Sequence, residues 1–136
     1  MSSWNDNVIT EFRDSKGTSN YWGPKLVVMH TIGARSGELR LAPVVGFPTE
    51  DGWQVVASKG GAPDNPAWYH NVAANPSFDV EALVDGEIIA IPVTARELLD
   101  DEYDVAWTAI KLDEPGFASY ETKTDRHIPV FQLTRV

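Results

Sequence analysis

The stretch FDVEALVDGEIIAIPV, Phe78–Val93, decides the fold class. Two apolar runs flank the dipeptide Asp85-Gly86, a strong signal for a two-residue hairpin turn. We therefore predict strands over 78–84 and 87–93 that pair antiparallel. A tight hairpin of this kind favours an antiparallel sheet over the alternating strand–helix pattern of a parallel one.

Apolar runs on both sides of this hairpin predict four further strands and two or three helices, which makes the chain α+β and mostly β. Asn5 or Asp6 is expected to cap the first helix and Asp64 the second. About six antiparallel strands with peripheral helices fit a small closed or partly split β-barrel. The predicted strands cover 26–32, 41–47, 53–58 and 128–133, and the predicted helices cover 4–15, 66–74 and 97–112.

Length and composition predict one soluble domain spanning 1–136. The chain has 136 residues, 43% of them hydrophobic, and no cysteine. We expect no stable membrane insertion, because no apolar run is long enough to span a bilayer. The first twelve residues show no secretory signal, and the lack of cysteine suits a reducing compartment, so we expect a cytoplasmic protein. A net charge of −9 argues against a nucleic-acid partner.

Positive charge is concentrated in the first part of the chain. Residues 1–80 carry six Lys or Arg and eight Asp or Glu, a net charge of −2, whereas residues 81–136 carry five and twelve, a net charge of −7. The first part contains the cations Lys25, Arg35, Arg40 and Lys59. An acidic protein with a few well-placed cations can hold one anionic small molecule.

Three short motifs are candidates for that role. In GARSGELR, 33–40, glycines flank Arg35 and Ser36, so that backbone N–H groups and arginines can face one anion. In SKGGAP, 58–63, Lys59 precedes two glycines that allow close approach to the backbone. In PAWYHN, 66–71, aromatic side chains lie at a helix start. Each motif alone also fits a solvated turn or an ordinary core contact.

Other chemistries find little support. The glycine spacing matches neither a Walker loop nor a dinucleotide-binding fingerprint. His30, His70 and His127 are expected in separate elements, so we predict no metal site.

Taken together, the motifs resemble a known family. The segments TIGARSGELRLAPV, VVASKGGAPDNPAWYHNVAANPSFDVE and TDRHIPVF resemble the deazaflavin-dependent nitroreductase family, over about residues 26–130. The resemblance implies a split β-barrel related to the FMN-binding fold, with coenzyme F420 as cofactor. It also implies hydride transfer from reduced F420 to an electron-poor acceptor, either a nitroaromatic, a quinone or a conjugated enone or lactone.

The same resemblance implies which residues form the site. Those matching the family's contacts to the cofactor are Ala34, Arg35, Ser36, Arg40, Leu41, Ala42, Pro43, Val44, Val45, Val56, Ala57, Ser58, Lys59, Gly60, Gly61, Ala67, Trp68, Tyr69, His70 and Asn71. Phe117 and Tyr120 match the substrate side, and Tyr120 is a candidate proton donor. Phe117 stands where relatives can carry a tyrosine, and Ala34 replaces a basic residue that would contact the cofactor tail.

Two other functions stay open on the residues alone. The chain could be an FMN- or haem-binding oxidoreductase of the same barrel class, or a carrier that binds F420 without turnover. A homodimer is also compatible with a split barrel.

Overall fold

The Asp85-Gly86 hairpin forms as predicted. In the computed structural model, which describes residues 3–14, 25–58, 65–124 and 127–136, Asp85 and Gly86 have φ angles of 51° and 82°. The flanking strands pair in register from Val84 opposite Glu87 to Ser77 opposite Thr94. These positive φ values are those of the tight turn that the dipeptide favours.

The hairpin lies at the centre of an antiparallel sheet that curls into a half-barrel. The strand order is β2-β1-β5-β6-β7-β4-β3. The strands are β1 (Leu26–Ile32), β2 (Leu39–Val45), β3 (Phe47–Pro48), β4 (Gly52–Val56), β5 (Ser77–Val84), β6 (Glu87–Glu97) and β7 (Val130–Arg135). The helices are α1 (Ser3–Asp14), α2 (Ala67–Ala74), α3 (Asp100–Asp113) and α4 (Ala118–Glu121), with a 3-10 turn over Pro115–Phe117. The predicted split-barrel class is confirmed.

The described residues form seven strands, one more than the roughly six predicted. The predicted strand over 41–47 is interrupted at Gly46, whose N–H donates to the Lys25 carbonyl at 2.8 Å. A side chain at Gly46 would lie 3.0 Å from Val27 and 3.2 Å from Trp53. The chain therefore changes direction at a crowded position, and Phe47–Pro48 pairs with β4 as a separate strand.

The predicted cap of α1 and the predicted start of α3 were wrong, and the predicted cap of α2 lies outside the described residues. The α1 helix begins at Ser3, so Asn5 and Asp6 fall inside it. The α3 helix begins at Asp100 and not at Glu97, because β6 continues to Glu97 opposite Phe131. The predicted cap Asp64 falls in the part of the chain that is not described, and Pro66 is the N-cap of α2.

Apolar side chains form three clusters around the sheet. The barrel cluster lies on the inner face and includes Val27, Met29, Ala42, Trp53, Val55, Val72, Phe78, Val80, Val93, Phe131 and Leu133. The α3 cluster includes Val45, Phe47, Val56, Leu98, Ala106, Trp107, Ile110, Phe117, Ile128 and Val130. The α1 cluster comprises Val8, Ile9, Phe12, Leu26 and Val28. β4 contributes to two of them, because Val55 belongs to the barrel cluster and Val56 to the α3 cluster.

One glycine is required by close backbone packing. A Cβ atom at Gly52 would lie 2.0 Å from the carbonyl oxygen of Leu133, which is rigid backbone in the paired strand β7. The sheet can close at this point only without a side chain.

Candidate functional site

The turn between β1 and β2 is closed by its own backbone. The N–H of Gly33 donates to the Glu38 carbonyl at 2.8 Å, and that of Gly37 donates to the Gly33 carbonyl at 3.0 Å. Gly37 has a φ of 71°, which favours glycine. The Ser36 hydroxyl accepts from the Glu38 N–H at 3.1 Å. The backbone amides of Arg35 and Ser36 have no acceptor within the described part of the chain.

The arginines of this turn differ in their partners. Arg40 donates to the Glu38 carboxylate at 3.0 Å and to the Leu39 carbonyl at 3.3 Å. Arg35 is exposed and pairs with no carboxylate among the residues described. Two unpaired amides beside an unpaired guanidinium can bind an anion.

Lys25 does not add to the positive charge of the β1–β2 turn. Its ammonium lies 2.7 Å from the Glu114 carboxylate and 3.2 Å from that of Asp113. Lys25 therefore ties the start of β1 to the end of α3, and the cations Arg35 and Arg40 remain at the turn.

The predicted groove strand, β2, presents its side chains in two directions. Ala42 and Val44 pack with the barrel cluster, whereas Leu41 packs with the α1 cluster and Val45 belongs to the α3 cluster. Pro43 is half-buried. The run from Leu41 to Val45 therefore cannot line one groove with every side chain, as strand alternation requires.

The end of β4 is buried. Val56 and Ala57 are buried, and Ser58 is half-buried. The Ala57 N–H donates to the Pro129 carbonyl at 2.9 Å. Lys59, Gly60 and Gly61 lie outside the described residues, so their predicted contacts stay predictions.

The α2 helix places two aromatic rings against β7. The ring centroids of Trp68 and Tyr69 lie 6.0 and 5.5 Å from that of Phe131. The Tyr69 hydroxyl donates to the Glu97 carboxylate at 2.9 Å. Burial and this hydrogen bond raise the pKa of Tyr69 above its ordinary value of 10. Ala67 and His70 are exposed.

A hydrogen bond joins α2 to the β1–β2 turn. The Ala34 N–H donates to Oδ1 of Asn71 at 2.9 Å. The structure thus brings together two motifs that lie 37 residues apart in sequence. Ala34, Arg35 and Ser36 lie beside the helix that carries Trp68 and Tyr69.

The two predicted substrate residues lie in a different cluster from these rings. Phe117 is buried in the α3 cluster, with its ring centroid 5.5 Å from Phe47 and 5.2 Å from Tyr120. Tyr120 is half-buried, and the Lys123 ammonium lies 5.7 Å from its ring centroid. Among the predicted cofactor residues, Val45 and Val56 belong to the same cluster.

Comparison with known proteins assigns the family. A family model described as F420H(2)-dependent quinone reductase matches residues 5–135. The chain belongs to this family. It is accordingly an oxidoreductase that depends on reduced F420, and the predicted F420-dependent class is confirmed.

Individual relatives agree with the family. A Mycobacterium tuberculosis protein named F420H(2)-dependent quinone reductase is 34% identical over 113 residues, which cover 82% of this chain and 74% of the relative. A second protein of that organism, named as a putative member, is 31% identical over 110 residues, covering 81% of this chain and 88% of its own length.

Solved structures support the same fold. A structure titled F420-H2 dependent reductase (FDR-A) matches with a TM-score of 0.69 and 39% identity, covering 80% of this chain and 93% of its own. The haem storage protein HutZ of Vibrio cholerae matches with a TM-score of 0.59 at 13% identity, covering 97% of this chain and 90% of its own. At that identity the second likeness concerns the fold alone.

Four polar or aromatic residues of this region were not predicted from the sequence. Glu38, Glu97 and Phe131 contact predicted site residues, and Asn75 donates to the Ile32 carbonyl at the end of β1. Glu38 could have been suspected, because it lies two residues before Arg40. The contacts of Glu97 and Phe131 depend on strand pairing that no local pattern reveals.

Two negative findings apply to the described residues. They contain no group of three His, Asp or Glu side chains that could hold a metal ion. None of the helices they form is long and apolar enough to cross a membrane.

Proposed function

We propose that this chain reduces quinone-type acceptors with hydride from reduced F420, and that the β1–β2 turn holds the anionic tail of the cofactor. The observation that carries the proposal is that, among the described residues, the amides of Arg35 and Ser36 have no acceptor and the neighbouring Arg35 side chain pairs with no carboxylate. Family membership supplies the cofactor, and this turn supplies an anion site suited to its phosphate and carboxylate groups.

The residues present fit such a cofactor at both of its ends. Backbone amides and arginines match an anionic tail, since guanidinium groups bind phosphate and carboxylate with paired hydrogen bonds. The half-buried rings of Trp68 and Tyr69 match a flat deazaflavin. Lys59, Gly60 and Gly61 stay predicted tail and ring contacts.

The reaction asks the protein mainly for binding and orientation. Reduced F420 supplies a hydride, and the quinone takes up one further proton to become a hydroquinone. The apolar side chains Val44, Trp68 and Phe131 exclude water from the barrel side of the proposed site. We propose that Tyr120 contacts the acceptor and passes it the proton. Phe117, without a hydroxyl, would contribute only apolar contact.

The first experiment measures cofactor binding by the fluorescence of F420. The wild-type chain should bind, and Arg35→Ala should weaken binding by about tenfold, the loss of a charge-assisted hydrogen bond at an exposed position. Arg96→Ala is the matched control, because Arg96 is an exposed arginine that pairs with Glu102. Absence of wild-type binding at tens of micromolar F420 would overturn the proposal.

The second experiment measures turnover of a soluble naphthoquinone, a nitroaromatic and a conjugated enone. Quinone reduction is expected to be fastest, and Tyr120→Phe should lower kcat if its hydroxyl delivers the proton. Tight binding of F420 without turnover of any acceptor would favour a carrier. A yellow or red protein as isolated would favour FMN or haem.

We also propose a homodimer and a cytoplasmic location. A 37% identical structural neighbour, with a TM-score of 0.70 over 94% of this chain and 92% of its own, is titled a domain-swapped dimer, which supports the first. The cysteine-free composition supports the second. Light scattering of the purified chain and fractionation of the source cells test them.

A further inference from the structure

An asparagine of α2 and the asparagine that caps its C-terminus form hydrogen bonds to the start of the arginine turn and the end of β1. Oδ1 of Asn71 accepts the Ala34 N–H at 2.9 Å. Nδ2 of Asn75 donates to the Ile32 carbonyl at 3.3 Å. Asn71 lies within α2, and Asn75, four residues later, is the C-cap of that helix. We call this pair the asparagine clamp.

The clamp connects the turn to an element that is itself firmly held. Val72, between the two asparagines, is buried in the barrel cluster. Trp68 and Tyr69, on the same helix, pack against Phe131 of β7. The Asn75 N–H also caps α2 by donating to the Asn71 carbonyl at 2.9 Å. The position of α2 therefore determines where the turn can lie.

The clamp also occupies one backbone amide of the turn. The Ala34 amide is bound to Asn71, and the Gly37 and Glu38 amides are bound within the turn. The two remaining amides, of Arg35 and Ser36, have no acceptor in the described part of the chain and are left for a ligand. Asparagine suits this role because it offers an acceptor without a negative charge, which would repel an anion.

We propose that Asn71 and Asn75 are positioning residues that set the affinity of the turn for the anionic tail of F420, an inference that rests on the proposed function. They act through the backbone at Ile32 and Ala34. Their effect should therefore fall on the tail and not on the deazaflavin ring. If Asn71 acted by touching the ring, removing it would weaken ring binding instead.

The first test follows the clamp in the protein without cofactor. Hydrogen exchange of the Ala34 amide should be slow in the wild-type chain and should accelerate in Asn71→Ala. Asn7→Ala is the matched control, because Asn7 is an exposed asparagine on α1. Unchanged exchange of Ala34 in Asn71→Ala would overturn the proposal whether or not F420 binds.

The second test compares two cofactor forms, intact F420 and a deazaflavin that ends at its ribityl chain without the tail. Asn71→Ala and Asn75→Ala should each weaken intact F420 by about 2- to 12-fold and leave the tailless form unchanged. Equal weakening of both forms would overturn the proposal and place Asn71 at the ring. Failure of the wild-type chain to bind either form would overturn the proposed function, while the exchange test would still judge the clamp.

A double variant separates positioning from direct contact with the tail. Once Arg35→Ala has removed the main charge of the turn, adding Asn71→Ala should cost less affinity for intact F420 than it does in the wild-type background. Fully additive losses would show that Asn71 acts independently of the turn and would overturn its assignment as a positioning residue.

Discussion

Two arginine–glutamate pairs in this protein show how burial separates a structural contact from a displaceable one. Glu81 on β5 accepts two hydrogen bonds from Arg13, at 2.6 and 3.0 Å, and lies 2.6 Å from Nε2 of His30. Its side chain is 11% exposed. Glu38 accepts one bond from Arg40 at 3.0 Å, and their side chains are 68% and 53% exposed.

The surroundings explain the different roles. Arg13 lies in the last turn of α1, whose residues Val8, Ile9 and Phe12 are buried on the sheet. The Glu81 pair therefore fixes a helix that already covers apolar surface. Glu38 and Arg40 lie exposed at the end of the turn, where a single ion pair contributes little. An incoming anion can replace Glu38 at Arg40, whereas the Glu81 carboxylate is mostly shielded from solvent.

The largest predicted effect follows from removing Glu81. Glu81→Ala should lower the free energy of unfolding by about 1.5–3 kcal/mol. This is less than for a fully buried pair, because Arg13 is half-exposed and can turn to water. Urea unfolding at pH 7 measures it, with the exposed Glu50→Ala as control, expected within about 0.5 kcal/mol of wild type. A loss as small as the control's would make the two pairs equivalent and contradict the comparison.

The same pair predicts a dependence of stability on pH. Burial alone would raise the pKa of Glu81, but hydrogen bonds from Arg13 and His30 outweigh it and hold that pKa below its ordinary value of 4.5. A lowered folded pKa means that the stabilisation is fully present above about pH 4.5 and is lost as the pH falls through the folded value.

Unfolding measured from pH 7 to pH 3 tests this sign with Glu81→Gln. The variant cannot ionise at this position, so its deficit in unfolding free energy relative to wild type should shrink toward pH 3. A deficit that stays constant, or grows as the pH falls, would contradict the lowered pKa of Glu81.

The fold could be predicted from the sequence only where its signals are local. The Asp85-Gly86 hairpin and the strand over 26–32 were predicted with the observed pairing or bounds, because turn chemistry and apolar runs are local signals. The extra strand was missed, because the break at Gly46 depends on contact with Val27 and Trp53.

The candidate site, too, could be predicted only where its signals are local in sequence. The arginine turn and the aromatic helix could be found as motifs, and the resemblance joined them. The bond between Ala34 and Asn71 spans 37 residues, and Glu81 meets Arg13 across 68, so both contacts appear only after folding. The ion pair between Glu38 and Arg40 is local in sequence, but it was not predicted.

For the exposed pair of Arg40 and Glu38, Arg40→Ala should weaken F420 binding by about fivefold, less than Arg35→Ala. Arg40 must first give up its bond to Glu38, which offsets part of what it gains from the cofactor. Fluorescence titration of both variants measures the difference, and their urea midpoints should match wild type. A larger loss for Arg40→Ala than for Arg35→Ala would show that the pair with Glu38 does not compete with the ligand.

The smallest expected effect is a gain. Glu38→Gln removes a carboxylate that both occupies Arg40 and repels an anionic tail, so F420 should bind about two- to fivefold more tightly, the range of an exposed ion pair. The gain should shrink in the Arg40→Ala background, where only the relief of repulsion remains, and should fade in high salt, because surface charges are screened. Weaker binding in Glu38→Gln would mean that Glu38 holds Arg40 in the binding orientation, and the exposed pair would then be structural in the same sense as the buried one.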